Sequence, residues 1–196
     1  MSAKQGEVII VSGPSGVGKG TILRELFASN EFPLVPSVSA TTRLPRPGEV
    51  DGVDYDFLSR EEFLRRKKRG EFLECFEVYA GGAWYGTLRE TVDRALARGE
   101  WIVLEIDVKG AGEVLKVYPD ARTIFILPPD AETLRRRLSG RGSESAASLE
   151  TRIEQGRAEI AQSDRYQYKI VNDSLAGAVG AFRGVLKKIQ EKSSHD

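Results

Sequence analysis

Residues Gly13, Pro14, Ser15, Gly16, Val17, Gly18, Lys19, Gly20 and Thr21 read GPSGVGKGT, after an apolar run at 8–11 and before Ile22, Leu23, Leu26 and Phe27 at helical spacing. Glycines let successive backbone N–H groups converge on an anion, a helix start adds its positive dipole end, and a lysine at Lys19 reaches outer phosphates. The chemistry implied is the cradling of a polyphosphate. Gly20 stands where such loops usually carry the Ser or Thr that ligates magnesium, and the hydroxyl follows one residue later at Thr21. Direct ligation of a metal by the loop is therefore not expected. Hard oxygens are available instead at Glu105 and Asp107, which close the run WIVLEID and share one side of an extended chain. Asp107 is the candidate to hold a magnesium ion through water. Arg43 and Arg46, in a loop stiffened by Pro45 and Pro47, offer guanidinium forks suited to a second phosphate.

These groups need a scaffold, and apolar runs of strand length alternate with amphipathic runs of helix length along the chain. That pattern predicts an α/β fold with a mostly parallel sheet flanked by helices. Strands are expected at 7–12, 34–39, 101–106, 123–127 and 168–171. Capping boxes, Ser59 with Glu62 and Thr87 with Glu90, predict helices over 59–69 and 87–98, closed by Gly70 and Gly99. The basic run 65–69 reads as the solvated last turn of its helix. Between the helices, 72–79 reads as a strand with a turn at Gly81 and Gly82 before Trp84 and Tyr85, an inserted subdomain. The expected division is a single domain with its core at 1–36, 99–136 and 149–196, the inserted subdomain at about 37–98, and a lid at about 137–148. The polar stretch 139–148 (SGRGSESAAS) has a composition suited to a mobile lid.

Composition removes several classes of chemistry. A chain of 196 residues, 40% hydrophobic, can bury roughly 70% of its unfolded surface in one core. Its 29 basic and 29 acidic residues cancel, leaving no global field for a polyanion, so a nucleic-acid partner is not expected. Cys75 is the sole cysteine and His195, second from the end, the sole histidine. Disulfides, Cys-rich zinc sites and Ser-His-Asp hydrolysis drop out. The apolar run 8–11 is too short for a secretory signal or a membrane span, which points to the cytoplasm and to no membrane partner. Oligomeric state is not legible in any of this.

Taken in order, SATTRLPRPGEVDGVDYDF, GEFLE, LEIDVKGA and RLSGRGSES, together with the loop at 13–21, resemble the guanylate kinase family, bacterial type. The likeness runs from the first strand to Val171-Asn172-Asp173. It implies a P-loop nucleoside monophosphate kinase fold with an inserted monophosphate-binding subdomain and a short lid. It implies transfer of the ATP γ-phosphoryl group to GMP, or to dGMP, with magnesium as the ATP-bound cofactor. Guanine would be held by Ser39, Glu74, Thr87 and Glu105, and the GMP phosphate by Arg43, Arg46, Tyr55 and Tyr85. Residues 13–21 and Asn172 would take ATP, and Lys19, Arg137, Arg141 and Arg152 would serve the transferring phosphates. The segment from Glu74 to Tyr85 is about two residues longer than the family's usual spacing. A kinase for another phosphorylated acceptor, or a non-catalytic module of this type that binds a phosphopeptide, would share much of the pattern; the intact phosphate loop favours the enzyme. A phosphate monoester with its second pKa at about 6 is mostly dianionic near neutral pH, so its attacking oxygen needs little general base and the lack of histidine is no obstacle.

Overall fold

The computed structural model describes residues 6–78, 82–139 and 146–193. In chain order the elements are β1 (Glu7–Ser12), α1 (Lys19–Ser29), β2 (Leu34–Pro36), β3 (Ala40–Thr41), β4 (Asp56–Phe57), α2 (Arg60–Lys68), β5 (Phe72–Val78) and β6 (Ala83–Leu88). They continue with α3 (Arg89–Ala97), β7 (Trp101–Glu105), α4 (Val108–Val117), β8 (Arg122–Leu127), α5 (Ala131–Ser139), α6 (Ala146–Ile160), a 3-10 turn at Ser163–Arg165, β9 (Tyr168–Val171) and α7 (Leu175–Ser193).

β1 is buried along its whole length because helices cover both faces of its sheet, which is why it reads as an unbroken apolar run. Ile9 and Val11 pack with Ile22 and Leu26 of α1 and Phe182 and Leu186 of α7. Val8 and Ile10 face the other way, onto Val92 and Ala95 of α3 and Val114 of α4. The five strands are all parallel in the order β2-β7-β1-β8-β9. The chain leaves β1 toward β2 on one side and β8 toward β9 on the other, so a crevice opens at the carboxyl ends of these strands. The phosphate loop stands there.

Residues 40–88 build a second sheet, ordered β4-β3-β6-β5. Its core is Phe63 of α2, fully buried, stacked on Phe72 at 4.3 Å and set 5.8 Å from the Trp84 ring. Burial of such a ring stabilises by roughly 1.5–3 kcal/mol, enough to matter for so small a layer. Lys67, from the basic run of α2, lies 3.8 Å over Trp84.

Several expected boundaries move. The second strand stops at Pro36 rather than 39, and β7 stops at Glu105. The Ser59 cap forms, its Oγ accepting the Glu62 N–H at 3.1 Å. The Thr87 cap does not: α3 starts at Arg89 behind Leu88, and Thr87 lies in β6. Its hydroxyl instead donates across the hairpin to the buried Glu74 carboxylate at 2.7 Å, a charge-assisted hydrogen bond. Residues 146–148, expected in a loop, begin α6. Residues 137–139 of the expected lid are the end of α5, and residues 140–145, the middle half of that lid, lie outside the described residues, as do Tyr79 and Gly81.

Candidate active site

The phosphate loop needs glycine at two places. Gly13 leaves β1 at φ +149°, where a Cβ would stand 2.4 Å from the Ile126 carbonyl oxygen; Gly18, at φ +97°, would drive one to 2.6 Å from Asn172 Nδ2. Lys19 opens α1 and turns back on the loop, its Nζ donating to the carbonyls of Gly13 at 2.7 Å and Pro14 at 3.3 Å. From outside, Asn172 Nδ2 donates to the Val17 carbonyl at 2.8 Å. Arg137 donates to the carbonyls of Val17 at 3.3 Å and Asn172 at 3.1 Å. Arg152 of α6 donates to Ser15 Oγ at 2.9 Å. Arg137, Arg152 and Asn172 are thus gathered on the loop, while Arg141 lies outside the described residues.

Glu105 reaches the start of α1, with Oε2 3.6 Å from where a Cβ on Gly20 would stand. Asp107 is not its strand mate, because β7 has already ended. Asp107 caps α4, and its Oδ1 accepts the Gly110 N–H at 2.7 Å, leaving Oδ2 for other partners. Among the described residues no three His, Cys, Asp or Glu side chains cluster to hold a metal by themselves. A hard cation there fits only as a shared guest of phosphate oxygens, water and these carboxylates.

Opposite lies a cavity of about 200 Å³ whose lining includes Ser39, Tyr55, Glu74, Tyr85, Glu105 and Asp107. Hairpin pairing of Glu74 with Thr87 and of Phe76 with Tyr85 brings these side chains together. Pairing continues to Val78 and Ala83. Glu74 is 9% exposed and Thr87 fully buried. Burial pushes the Glu74 carboxyl above the ordinary range; the Thr87 hydrogen bond opposes the rise and Asp107 adds to it. Burial likewise raises the Tyr55 phenol. Tyr55 meets Tyr85 edge-on at 6.0 Å, and the Arg43 guanidinium lies 5.3 Å over the Tyr55 ring while its Nε donates to the Tyr85 hydroxyl at 3.2 Å. Arg46 is exposed beside them.

Two acids escaped the sequence reading. Glu49 makes a bidentate pair with Arg43. Half-buried Glu159 is pushed up by burial and pulled down by the Lys19 charge. The signal for Glu159 was its spacing: Arg152, Gly156 and Glu159 share one face of α6, and that face meets the loop at Ser15 and Pro14.

A parallel sheet that presents a phosphate loop, faced by a smaller sheet with basic, phenolic and acidic side chains, is the fold of the P-loop nucleoside monophosphate kinases. Among solved structures, guanylate kinase from Anaplasma phagocytophilum superposes with a TM-score of 0.74 at 32% identity, over 95% of this chain and 87% of that one. The family model described as guanylate kinase matches residues 5–189. Guanylate kinase of Rhodopirellula baltica is 51% identical over 180 residues, 91% of this chain and 86% of the relative. Guanylate kinase of Symbiobacterium thermophilum is 49% identical over 183 residues, 93% of this chain and 85% of the relative. The chain belongs to the guanylate kinase family.

Proposed function

We propose that this chain transfers the γ-phosphoryl group of ATP to GMP, giving ADP and GDP. The observation that carries the reading is the buried Glu74 carboxylate, paired with Thr87 and facing a cavity across from the phosphate loop. Guanine offers N1–H and an exocyclic amine as adjacent donors, whereas adenine offers an N1 acceptor and no 2-amino group. A carboxylate therefore attracts one base and repels the other. Ser39, Thr87 and Glu105 complete the base site; Arg43, Arg46, Tyr55 and Tyr85 take the acceptor phosphate. The loop at 13–21 takes the ATP phosphates, with Asn172 and Arg137 bracing its Val17 turn.

In the reaction an acceptor phosphate oxygen forms a bond to the γ-phosphorus as the bond from that phosphorus to the β,γ-bridging oxygen of ATP breaks, and the electron pair leaves with ADP. Charge cancellation and in-line positioning dominate such a step. Lys19 exchanges its two loop carbonyls for phosphate oxygens, and Arg137, Arg141 and Arg152 add positive charge on that side. The divalent metal that accompanies ATP is magnesium in this reading; Asp107 would hold it through water, and it would neutralise charge on the β- and γ-phosphates. We place the chain in the cytoplasm: no described helix is long and apolar enough to cross a membrane, and neither reactant calls for one. Initial rates with ATP and magnesium against GMP, dGMP, AMP, CMP and UMP test the reading. GMP is expected to dominate, with dGMP next; a faster rate with AMP or a pyrimidine nucleotide would overturn it.

A further inference from the structure

Arg43 and Arg46 look equivalent in the sequence, yet the fold treats them differently. Arg43 is mostly covered and has five N–H groups, of which four are committed. Nε donates to the Tyr85 hydroxyl at 3.2 Å, Nη1 to the Leu44 carbonyl at 2.7 Å and to Glu49 Oε2 at 2.9 Å, and Nη2 to Glu49 Oε1 at 2.8 Å. Glu49 Oε2 also accepts the Arg46 backbone N–H at 2.7 Å. The Glu49 carboxylate is itself held by its loop, where Asp54 Oδ2 accepts the Val50 N–H at 2.8 Å and Asp51 Oδ1 accepts the Phe57 N–H at 2.9 Å. The rings of Tyr55 and Phe57, 5.3 and 5.7 Å from the guanidinium, fix its plane. The Arg46 guanidinium, by contrast, is exposed and makes no hydrogen bond to the described residues.

We propose that Glu49 is a positioning residue for the acceptor phosphate: it clamps Arg43 in one orientation and leaves Arg46 as the arm that moves. The proposal rests on reading this corner as the phosphate half of the GMP site. The clamped Arg43 meets phosphate with its remaining Nη2 N–H and, through Nε, polarises the Tyr85 hydroxyl, whose proton is then directed outward as a second donor. A fork fixed before the ligand arrives loses little entropy on binding. Glu49 also cancels one of the two arginine charges, so the empty corner does not carry two uncompensated cations side by side.

The test is a double-mutant cycle on the full chain with ATP and magnesium saturating. Glu49→Gln keeps the shape but cannot accept at both ends of the guanidinium fork. KM for GMP is expected to rise roughly ten-fold or more, with kcat and KM for ATP nearly unchanged. In the Arg43→Ala background the same substitution is expected to add almost nothing, since its effect runs through Arg43. Thermal unfolding of each variant separates this from loss of fold, and Glu49→Asp, one methylene short of the fork, supplies the same comparison if the glutamine variant is unstable. An unchanged or lowered KM for GMP in folded Glu49→Gln overturns the clamp, as does an equal rise in the presence and absence of Arg43. If Arg43→Ala alone leaves KM for GMP unchanged, the reading of this corner as a phosphate site fails with it; an impaired Arg43→Ala beside a normal Glu49→Gln removes the clamp alone.

Discussion

Replacing Glu74 by Gln separates recognition from stability in a single substitution. The carboxylate offers two oxygens: Oε1 already accepts the Thr87 hydroxyl at 2.7 Å, and Oε2 lies beside Gly110. Guanine brings two adjacent donors. Either orientation of the amide in Glu74→Gln sets its NH2 against one of them, in a site where Glu74 is only 9% exposed. An unmade hydrogen bond to a buried charged group costs about 1.5–3 kcal/mol, which corresponds to a loss of roughly ten-fold to a hundred-fold in kcat/KM for GMP. Activity with AMP should fall far less, or rise, because its N1 lone pair no longer faces a negative charge. Stability should move the other way. Burial holds the folded-state pKa of Glu74 above its unfolded value, so the ionised group destabilises the fold at neutral pH and this penalty fades as pH falls through the folded pKa. The ligand-free variant is therefore expected to unfold at an equal or higher Tm near pH 7.5, with the difference shrinking on acidification. The acid limb that protonation of Glu74 gives to kcat/KM for GMP should disappear. Steady-state rates with GMP and AMP, with Tm measured across pH, decide the matter. An unchanged ratio of GMP to AMP activity would refute the reasoning and transfer the role of guanine reader to Glu105.

Lys19→Met should abolish phosphoryl transfer at a barrier cost of several kcal/mol while circular dichroism and Tm stay near wild type, because the ammonium is turned onto the phosphate loop, donating to the Gly13 and Pro14 carbonyls, and the side chain takes no part in the apolar core. Near-normal turnover would contradict the assignment of the loop. Asn172→Ala strips a hydrogen bond from the Val17 carbonyl, so it should lower stability by about 1–3 kcal/mol and raise KM for ATP more than KM for GMP; denaturant unfolding and paired titrations read both. Phe63→Ala removes the centre of the second sheet and should cost about 3–5 kcal/mol, with hydrogen exchange rising in β5 and β6 before β1 and β7. Uniform exchange across both sheets would show that the smaller layer does not open by itself.

How far the sequence alone reached depended on the range of the interaction that decides each residue. β1 and the loop were legible because a doubly covered parallel strand must be apolar throughout, and because Gly13 and Gly18 answer to local geometry. β3 and β4 were not, since two-residue strands carry no periodicity. Thr87 misled because a hydroxyl three residues before a glutamate suits a helix cap, while the acceptor that won, Glu74, is thirteen residues away and becomes a neighbour only through hairpin register. Asp107 reads as a strand-end acid until β7 turns into α4 and makes it a cap. Glu49 drew no reading from the sequence, because its bidentate grip on Arg43 depends on the loop closing through Asp51 and Asp54. The family resemblance named the arginines and tyrosines, and the fold supplied what braces them.

The central claim concerns where one phosphoryl group goes. Purified chain is incubated with ATP labelled in the γ-phosphate, magnesium and GMP, and the nucleotides are separated and counted. The account predicts label in the β-phosphate of GDP, one for one with ADP formed, far less label transferred when AMP replaces GMP, and none with Lys19→Met. Label released as free phosphate without GDP, or ADP formation indifferent to GMP, would contradict it.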